Sequence, residues 1–188
     1  MVDRFNMLND IERVLVSEEQ IHARIREVGA QISEEYRGRC PILIGVLKGV
    51  VPFYAEMAQA ITIPVQEDFM CITSFEGGTR STGKFTFRKD IDHDIEGRDV
   101  IILEDIVDSG ATLKMILELF RDRKARSIKI CALLDKPSGR TVDLQADYVC
   151  FTIPAAFVVG YGLDYADYYR NLPFVGVLKP SVYQNQSE

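Results

Sequence analysis

The sequence predicts an α/β protein with a mostly parallel central sheet flanked by helices. Three short runs, Ile42–Leu47, residues 100–103 and residues 128–134, are almost purely apolar, as strands covered on both faces are. The second run is followed, over residues 113–120, by apolar side chains at helical spacing. A chain of 188 residues is long enough for one domain, so we expect residues 1–188 to form a single unit.

Two more helices and one more strand are expected around the first apolar run. The capping-box pattern Ser17-Glu18-Glu19-Gln20 precedes apolar residues at helical spacing, which predicts a first helix. A second helix is expected over residues 50–61, entered through Pro52. Residues 65–73 form another strand candidate, and the following stretch, 74–84, contains three Gly and four Ser or Thr. That composition predicts a mobile loop.

Composition and charge narrow the classes of function. Hydrophobic residues make up 47% of the chain and charged residues 27%, as in an ordinary globular protein. A formal net charge of -6 argues against nucleic acid or an anionic membrane as a partner. The sequence contains neither an apolar signal core nor a membrane span, so we expect a cytoplasmic protein.

Cysteine and histidine give little sign of a metal centre. His93 lies in the charged run of residues 90–96, where apolar and charged residues alternate, and a solvated loop is the expected structure. The cysteines show no metal-like spacing and are expected to be buried free thiols. They are Cys40, Cys71, Cys131 and Cys150.

The stretch after the second apolar run has the chemistry of a phosphate site. Asp108-Ser109-Gly110-Ala111-Thr112 combines a glycine that lets the backbone approach, two hydroxyl donors and a helix start. A helix start favours an anion through its free N–H groups and its dipole. The stretch lacks the lysine of a Walker loop and the three glycines of a dinucleotide fingerprint.

Acidic residues precede this anion cradle, in the loop that is expected to follow the apolar strand at residues 100–103. Glu104, Asp105 and Asp108 would repel a bare phosphate, so their closeness implies a cation, a ribose diol or a proton to be removed. A phosphorylated sugar bound with Mg²⁺ fits all three. The alternative is that these acids only complement the dipole of the helix that follows.

The stretch EDIVDSGAT, residues 104–112, resembles the phosphoribosyl-pyrophosphate motif of the type I phosphoribosyltransferases. Together with Leu47-Lys48-Gly49, Asp135-Lys136-Pro137 and the run FVVGYGLDY from Phe157, it makes the chain similar to the hypoxanthine-guanine phosphoribosyltransferases from about residue 10 to about residue 180. The resemblance implies the type I phosphoribosyltransferase fold with a small hood and a flexible lid. The hood would comprise residues from about 136 to 188 with N-terminal residues, and the lid would comprise about 74–84.

The resemblance also assigns residues to phosphoribosyl pyrophosphate and Mg²⁺. Residues Ser109, Gly110, Ala111 and Thr112 would hold the 5-phosphate, and Glu104 and Asp105 the ribose hydroxyls, directly or through Mg²⁺. Lys48 and Gly49, with a cis peptide bond before the lysine, would bind pyrophosphate together with Arg170. Asp108 would either take a proton from the purine or only position it.

On the purine side, the resemblance implies that Lys136 donates to the exocyclic oxygen of a 6-oxopurine. Phe157 would stack on the base, the Val158 backbone would read its edge, and Asp164 would help to hold Mg²⁺. The lid would begin at Ser74-Phe75, where the family usually has Ser-Tyr, so a lid hydroxyl is missing here. Upstream of Phe157 the chain has Ala155-Ala156, where the family commonly has an acid after Ile-Pro.

The expected reaction is transfer of a 5-phosphoribosyl group from phosphoribosyl pyrophosphate to hypoxanthine or guanine, with Mg²⁺ as cofactor. A homodimer or homotetramer is expected by resemblance, without a nucleic-acid or membrane partner. Two alternatives stay open. One is a xanthine-guanine phosphoribosyltransferase, and the other is a nucleotide-sensing regulator of the same fold that binds RNA.

Overall fold

The computed structural model describes residues 7–74 and 85–184. Its helices are α1 (Glu18–Glu35), α2 (Val51–Ala60), α3 (Ala111–Asp122) and α4 (Pro180–Tyr183), with 3-10 turns at Met7–Asp10 and Pro137–Gly139. Its strands are β1 (Ile11–Val16), β2 (Ile42–Leu47), β3 (Gln66–Ser74), β4 (Phe85–Lys89), β5 (Asp99–Val107), β6 (Ser127–Asp135), β7 (Tyr148–Thr152), β8 (Val158–Val159) and β9 (Val175–Leu178).

A six-stranded sheet confirms the predicted α/β class. Its order is β4-β3-β2-β5-β6-β7, and every neighbouring pair is parallel except β3 with β4. From β2 the chain passes to β3 on one side, and it later returns as β5 on the other side. This reversal leaves a crevice at the carboxyl ends of β2 and β5, which is where open α/β sheets bind their ligands.

Helices cover both faces of the sheet, which explains why its strands are continuous apolar runs. Because successive side chains of a strand point to opposite faces, β2 and β5 each contribute to two cores. Leu43 and Ile101 pack in the core beneath α1 and α2, whereas Ile44 and Ile102 pack in the core beneath α3. The apolar stripe of α1 is buried as expected, at Ile21, Ile25, Val28 and Ile32.

The predicted helix starts are confirmed. Ser17 forms a complete capping box with Gln20 at the start of α1. The second helix begins at Val51 with Pro52 in its first turn, where a missing N–H costs no intrahelical hydrogen bond. Because α2 starts two residues after Gly49, it fixes the loop that follows β2.

One strand boundary was predicted wrongly. We expected the acidic pair to lie in a loop, but β5 continues to Val107, so Glu104 and Asp105 are strand residues. The reason is pairing: β6 is equally long, and its ladder with β5 extends to Val107 opposite Asp135. The apolar run ends at Leu103, where the side chains of β5 begin to contact solvent. The strand itself ends at Val107, where its pairing with β6 ends.

A second, three-stranded antiparallel sheet has the order β1-β9-β8. It joins the strand nearest the N-terminus to residues 158–178, and a small core that includes Val159 and Tyr169 lies behind it. Residues 165–170, in the connection between β8 and β9, form turns. Ala166, Asp167 and Tyr169 have φ values of 52°, 67° and 73°, in the left-handed region.

The cysteine prediction was correct for two residues and wrong for two. All four thiols are free, and Cys131 and Cys150 are buried in the sheet. Cys40 is exposed, because it lies in the turn before β2, and Cys71 is half-buried. The loop around His93 is confirmed, although the buried carboxylate of Asp68 orders it by accepting hydrogen bonds from the His93 backbone and lying 3.1 Å from the His93 ring.

Most of the predicted lid lies outside the described residues. Ser74 is the last residue of β3, and Phe75 and the rest of the stretch to residue 84 lie outside the described residues. In the ranges 7–74 and 85–184, no helix is both long enough and apolar enough to cross a membrane.

Candidate active site

Three segments that are distant in sequence meet at the carboxyl ends of β2 and β5. A Cβ atom on Gly49 would lie 1.7 Å from Oδ2 of Asp105. A Cβ atom on Gly162 would lie 1.8 Å from the carbonyl oxygen of Gly49, and Gly162 also has a φ of +98°. Only glycine fits at these two positions, so the loop after β2, the end of β5 and the segment after β8 are in direct contact.

The predicted anion cradle joins β5 to α3. Gly110, with a φ of +79°, is the N-cap of α3 and supplies no capping side chain. Ser109 Oγ accepts a long hydrogen bond of 3.4 Å from the Ala111 N–H. A cavity of about 190 Å³ lies against Ser109, Gly110 and Thr112. A helix start with so little capping retains donors for an anion.

Asp108 and Lys136 form an ion pair beside this cradle. Lys136 Nζ lies 3.0 Å from Asp108 Oδ2, and the lysine side chain is 20% exposed. The Lys136 N–H also donates to the Val107 carbonyl, at 3.0 Å. Asp108 follows β5 and Lys136 follows β6. The pairing of these two parallel strands therefore holds the Asp108 carboxylate beside the Lys136 ammonium group.

Glu104 and Asp105 are half-buried carboxylates at the end of β5. Burial, reinforced by the neighbouring charge of Asp105, holds the pKa of Glu104 well above its usual range. Burial also raises the pKa of Asp105 to about 6, against the opposing effects of the Ile106 N–H and Arg170. In the described part of the chain, the buried Oε2 of Glu104 accepts no hydrogen bond. This end of β5 therefore has unused acceptor capacity for a cation or a hydroxyl donor.

The residues predicted to hold Mg²⁺ do not form a complete cage of protein ligands. Within residues 7–74 and 85–184, no group of three or more His, Cys, Asp or Glu is arranged to hold a metal ion. Asp164 is close enough to Asp105 to raise its pKa, but it is paired with Arg170 at 2.8 Å. The donors still fit Mg²⁺, which is commonly bound by one or two carboxylates together with water and phosphate oxygens of the substrate.

The cations predicted to bind pyrophosphate lie on the two other segments, Lys48 in the loop after β2 and Arg170 in the segment after β8. The Leu47–Lys48 peptide bond is cis, as the resemblance implied. Lys48 Nζ lies 3.3 Å from Asp167, whose Oδ1 is also 3.1 Å from Arg170. Arg170 donates to the Gly162 carbonyl at 2.7 Å. Asp167 thus contacts both cations, and nothing in the sequence marked it as different from other surface acids.

Phe157 and Val158 lie at the start of β8 in the small sheet. Phe157 is 40% exposed. Its backbone carbonyl accepts a hydrogen bond from the Leu178 N–H at 2.9 Å. Tyr183 stacks on this ring, and Tyr165 meets it edge-on. The Val158 side chain is buried, with its backbone paired to Val177.

The family model described as "Phosphoribosyl transferase domain" matches residues 16–166. The chain is 54% identical, over 95% of its length and 99% of the relative, to the hypoxanthine-guanine phosphoribosyltransferase of Bacillus subtilis strain 168. It is 51% identical to that of Streptococcus pneumoniae R6, covering 94% of this chain and 98% of the relative. The chain belongs to the hypoxanthine-guanine phosphoribosyltransferase family.

The family membership extends to the fold. The crystal structure of a hypoxanthine phosphoribosyltransferase from Staphylococcus aureus superimposes on this phosphoribosyltransferase with a TM-score of 0.92. The sequence identity is 45%, covering 98% of this chain and all of the other. The β2–β5 crevice and the small sheet are therefore parts of a hypoxanthine phosphoribosyltransferase architecture.

No motif in the sequence marked the residues that support Asp108 from behind. Arg140 donates to the carbonyl of Asp108 at 2.9 Å and to that of Val107 at 3.2 Å, and it is paired with Asp135. Thr141 donates to the Ser109 carbonyl through its N–H, at 3.0 Å, and its hydroxyl, at 3.2 Å. Only their position in the sequence could have indicated them, because Arg140 and Thr141 follow the strand-end Lys136 by only a few residues.

Gly139 is the closest of these supports to the acid itself. A Cβ atom at Gly139 would lie 1.5 Å from Oδ1 of Asp108 and 2.8 Å from its Cγ. The Asp108 carboxylate therefore rests directly on the backbone of the 3-10 turn Pro137–Gly139. Any side chain at this position has to displace the carboxylate or the turn.

We predict that Gly139→Ala lowers kcat by about 100-fold, because a misplacement of about 1 Å at a reacting group can cost that much. The melting temperature should change by only a few degrees, since the turn lies outside both large cores. Steady-state kinetics and thermal unfolding measure the two effects. Ser138→Ala, one residue away and exposed, is the matched control and should behave like the unaltered enzyme. If kcat for Gly139→Ala stays within twofold, the contact does not position Asp108.

Proposed function

We propose that the chain is a purine-salvage enzyme that transfers the 5-phosphoribosyl group of phosphoribosyl pyrophosphate to hypoxanthine and guanine. The products are IMP or GMP and pyrophosphate. Family membership supports the reaction. The observation that carries the choice of base is the Lys136–Asp108 pair, with 3.0 Å between Nζ and Oδ2.

The Lys136–Asp108 pair matches one edge of a 6-oxopurine. The exocyclic oxygen and the neighbouring imidazole nitrogen lie side by side on that edge. A lysine ammonium can only donate, so Lys136 suits a keto oxygen. Adenine would present an amino group there, leaving two donors facing each other. Asp108, next to it, is placed to accept a proton from the imidazole nitrogen.

In the proposed mechanism, proton removal accompanies bond formation. The second imidazole nitrogen of the purine bonds to the anomeric carbon of ribose, and the bond from that carbon to pyrophosphate breaks. The proton leaves the first imidazole nitrogen and is accepted by Asp108. Phe157 stacks on the base, and the Val158 backbone faces its edge, so the attacking nitrogen is held in position.

The sugar phosphate and pyrophosphate are proposed to bind on opposite sides of the crevice. Ser109, Gly110, Ala111 and Thr112 hold the 5-phosphate at the start of α3. Lys48, the Gly49 N–H and Arg170 stabilise the charge that develops on pyrophosphate. Because Lys48 and Arg170 both contact Asp167 in this structure, pyrophosphate takes the place of a carboxylate at these cations.

Mg²⁺ is proposed as the cofactor. Glu104 and Asp105 would hold it together with ribose and phosphate oxygens, and Asp164 would contribute from the neighbouring segment. When bound, Mg²⁺ would neutralise charge on the departing pyrophosphate. The unpaired, buried oxygen of Glu104 and the raised pKa of both acids on β5 support this assignment.

We also propose that residues 1–188 form a single phosphoribosyltransferase domain. The small sheet β1-β9-β8 acts as the hood over the purine, since it carries Phe157 at its edge and includes the strand nearest the N-terminus.

We predict turnover of hypoxanthine or guanine, with adenine inert, when each base is offered with phosphoribosyl pyrophosphate and Mg²⁺ in a spectrophotometric assay. Chelation of Mg²⁺ should stop the reaction, and excess Mg²⁺ should restore it. Xanthine offered in parallel tests the xanthine-guanine alternative. If no base reacts although phosphoribosyl pyrophosphate binds, the proposal fails and a nucleotide-sensing role on the same fold takes its place.

We predict that Asp108→Asn lowers kcat by about 100-fold or more, because general bases contribute roughly 10²- to 10⁴-fold. The asparagine keeps the shape of the side chain but cannot accept the proton. Lys136→Gln is the companion variant: it also breaks the ion pair, but leaves the carboxylate, and should mainly raise the purine KM. A loss of less than about tenfold for Asp108→Asn, roughly 1.4 kcal/mol, would show that Asp108 only positions the base.

We propose a homodimer or homotetramer, with the apolar groove beside β2 and α2 as the contact surface. The groove has a volume of about 460 Å³, and its lining includes Leu47, Val51, Tyr54 and Phe69. Val51 is 51% exposed, although it is a large apolar side chain. A contact here would adjoin Lys48 and so couple assembly to the pyrophosphate loop.

We predict that Val51→Lys shifts the oligomer toward monomer, because a lysine buried at an apolar contact lacks a partner. Light scattering after gel filtration measures the change. Val14→Lys, on β1, is the control, since Val14 is equally exposed at 51% but belongs to the small sheet and does not line the groove. Retention of the full oligomer by Val51→Lys would place the contact elsewhere.

A further inference from the structure

We infer that Tyr183, in the C-terminal helix α4, is a positioning residue for the purine. It holds the ring of Phe157 from the side opposite to the base. This inference rests on the proposed function, in which Phe157 stacks on the purine. Tyr183 does not itself touch the base, so its effect passes through the Phe157 ring.

Three aromatic rings form a cluster at the edge of the small sheet. The ring centroids of Phe157 and Tyr183 are 4.9 Å apart with an interplanar angle of 22°, which is a stacked pair. Tyr165 meets the Phe157 ring edge-on, with a centroid distance of 5.7 Å and an angle of 86°. One face and one edge of Phe157 are thus covered, yet the residue is still 40% exposed. The centroids of Tyr165 and Tyr183 are 6.4 Å apart, which is too close for the two rings to lie on opposite faces of Phe157. The other face of Phe157 is therefore left open.

The base has only this opposite face available. A ring inserted between two others needs about 3.5 Å on each side, or roughly 7 Å in all. The 4.9 Å between Phe157 and Tyr183 is too short for that arrangement. The purine therefore stacks on the outward face of Phe157, and Tyr183 supports the inward face.

Tyr183 is itself held by the hood. Leu178 N donates to the Phe157 carbonyl at 2.9 Å, which ties β9 to the start of β8. Val182 and Tyr183 then pack against the small core that includes Val159 and Leu178. Phe157 is therefore fixed twice, through its backbone by β9 and through its ring by α4. Ordering the ring before the base arrives removes an entropy cost from purine binding.

The test is a set of Tyr183 variants assayed with both substrates. Tyr183→Ala should raise the KM for hypoxanthine and guanine about three- to tenfold, as expected for the loss of one aromatic pair. The KM for phosphoribosyl pyrophosphate and the kcat at saturation should stay within twofold. Tyr183→Phe, which keeps the ring, should match the unaltered enzyme. Tyr183→Leu keeps apolar bulk without a flat face and should resemble Tyr183→Ala.

A double-mutant cycle separates positioning from general stability. In a Phe157→Leu background, Tyr183→Ala should add less than twofold to the purine KM, because its effect passes through the missing ring. Full additivity would overturn the inference. So would an equal rise in both KM values, or a purine KM within twofold for both Tyr183→Ala and Tyr183→Leu. If the proposed function itself is wrong, the unaltered protein will turn over no base at all, which distinguishes that failure from failure of this inference.

Discussion

The crevice at the ends of β2 and β5 is built on contacts that leave no room for a side chain. Gly49 lies against the carboxylate of Asp105, and Gly162 lies against the carbonyl of Gly49. Arg170 then bonds to the Gly162 carbonyl, which brings the segment after β8 to the same point. Because the three segments are in contact, a shift in one displaces the others. The acidic end of β5 and the two cations Lys48 and Arg170 are thereby held together at one place in the fold.

Charge is balanced very differently on the two sides of this crevice. On the cationic side, Lys48 and Arg170 already share the carboxylate of Asp167, and each of these side chains is at least 30% exposed. Such exposed pairs are worth little, so the proposed pyrophosphate would replace a weak partner with a stronger one at small cost. Among the described residues, no cation forms an ion pair with Glu104 or Asp105 on β5, and burial raises the pKa of both. The proposed Mg²⁺ would supply the missing positive charge there.

Much of this fold could be predicted from the sequence, because buried parallel strands are continuous apolar runs with polar residues at their ends. The pattern was less informative at the site. It ended β5 before Glu104, since apolar periodicity reports burial, whereas strand length depends on pairing with β6. It could not indicate that Gly139 underlies Asp108, because that contact crosses between two strand ends. Asp167 was missed for the same reason, because its contact with Lys48 joins residues 119 positions apart in the sequence.

The purine site is supported by residues that lie behind it. Strand pairing places Lys136 3.0 Å from Asp108, and Arg140 and Thr141 support the loop that carries the acid by donating to its carbonyls. Across the site, Phe157 rests on Tyr183 in the same way. A lysine donor tells a keto group from an amino group only if the base cannot rotate or slide toward another partner. We therefore expect the proposed selectivity for 6-oxopurines to depend on these supports as much as on Lys136, because they fix residues of two separate sheets that would meet at one base.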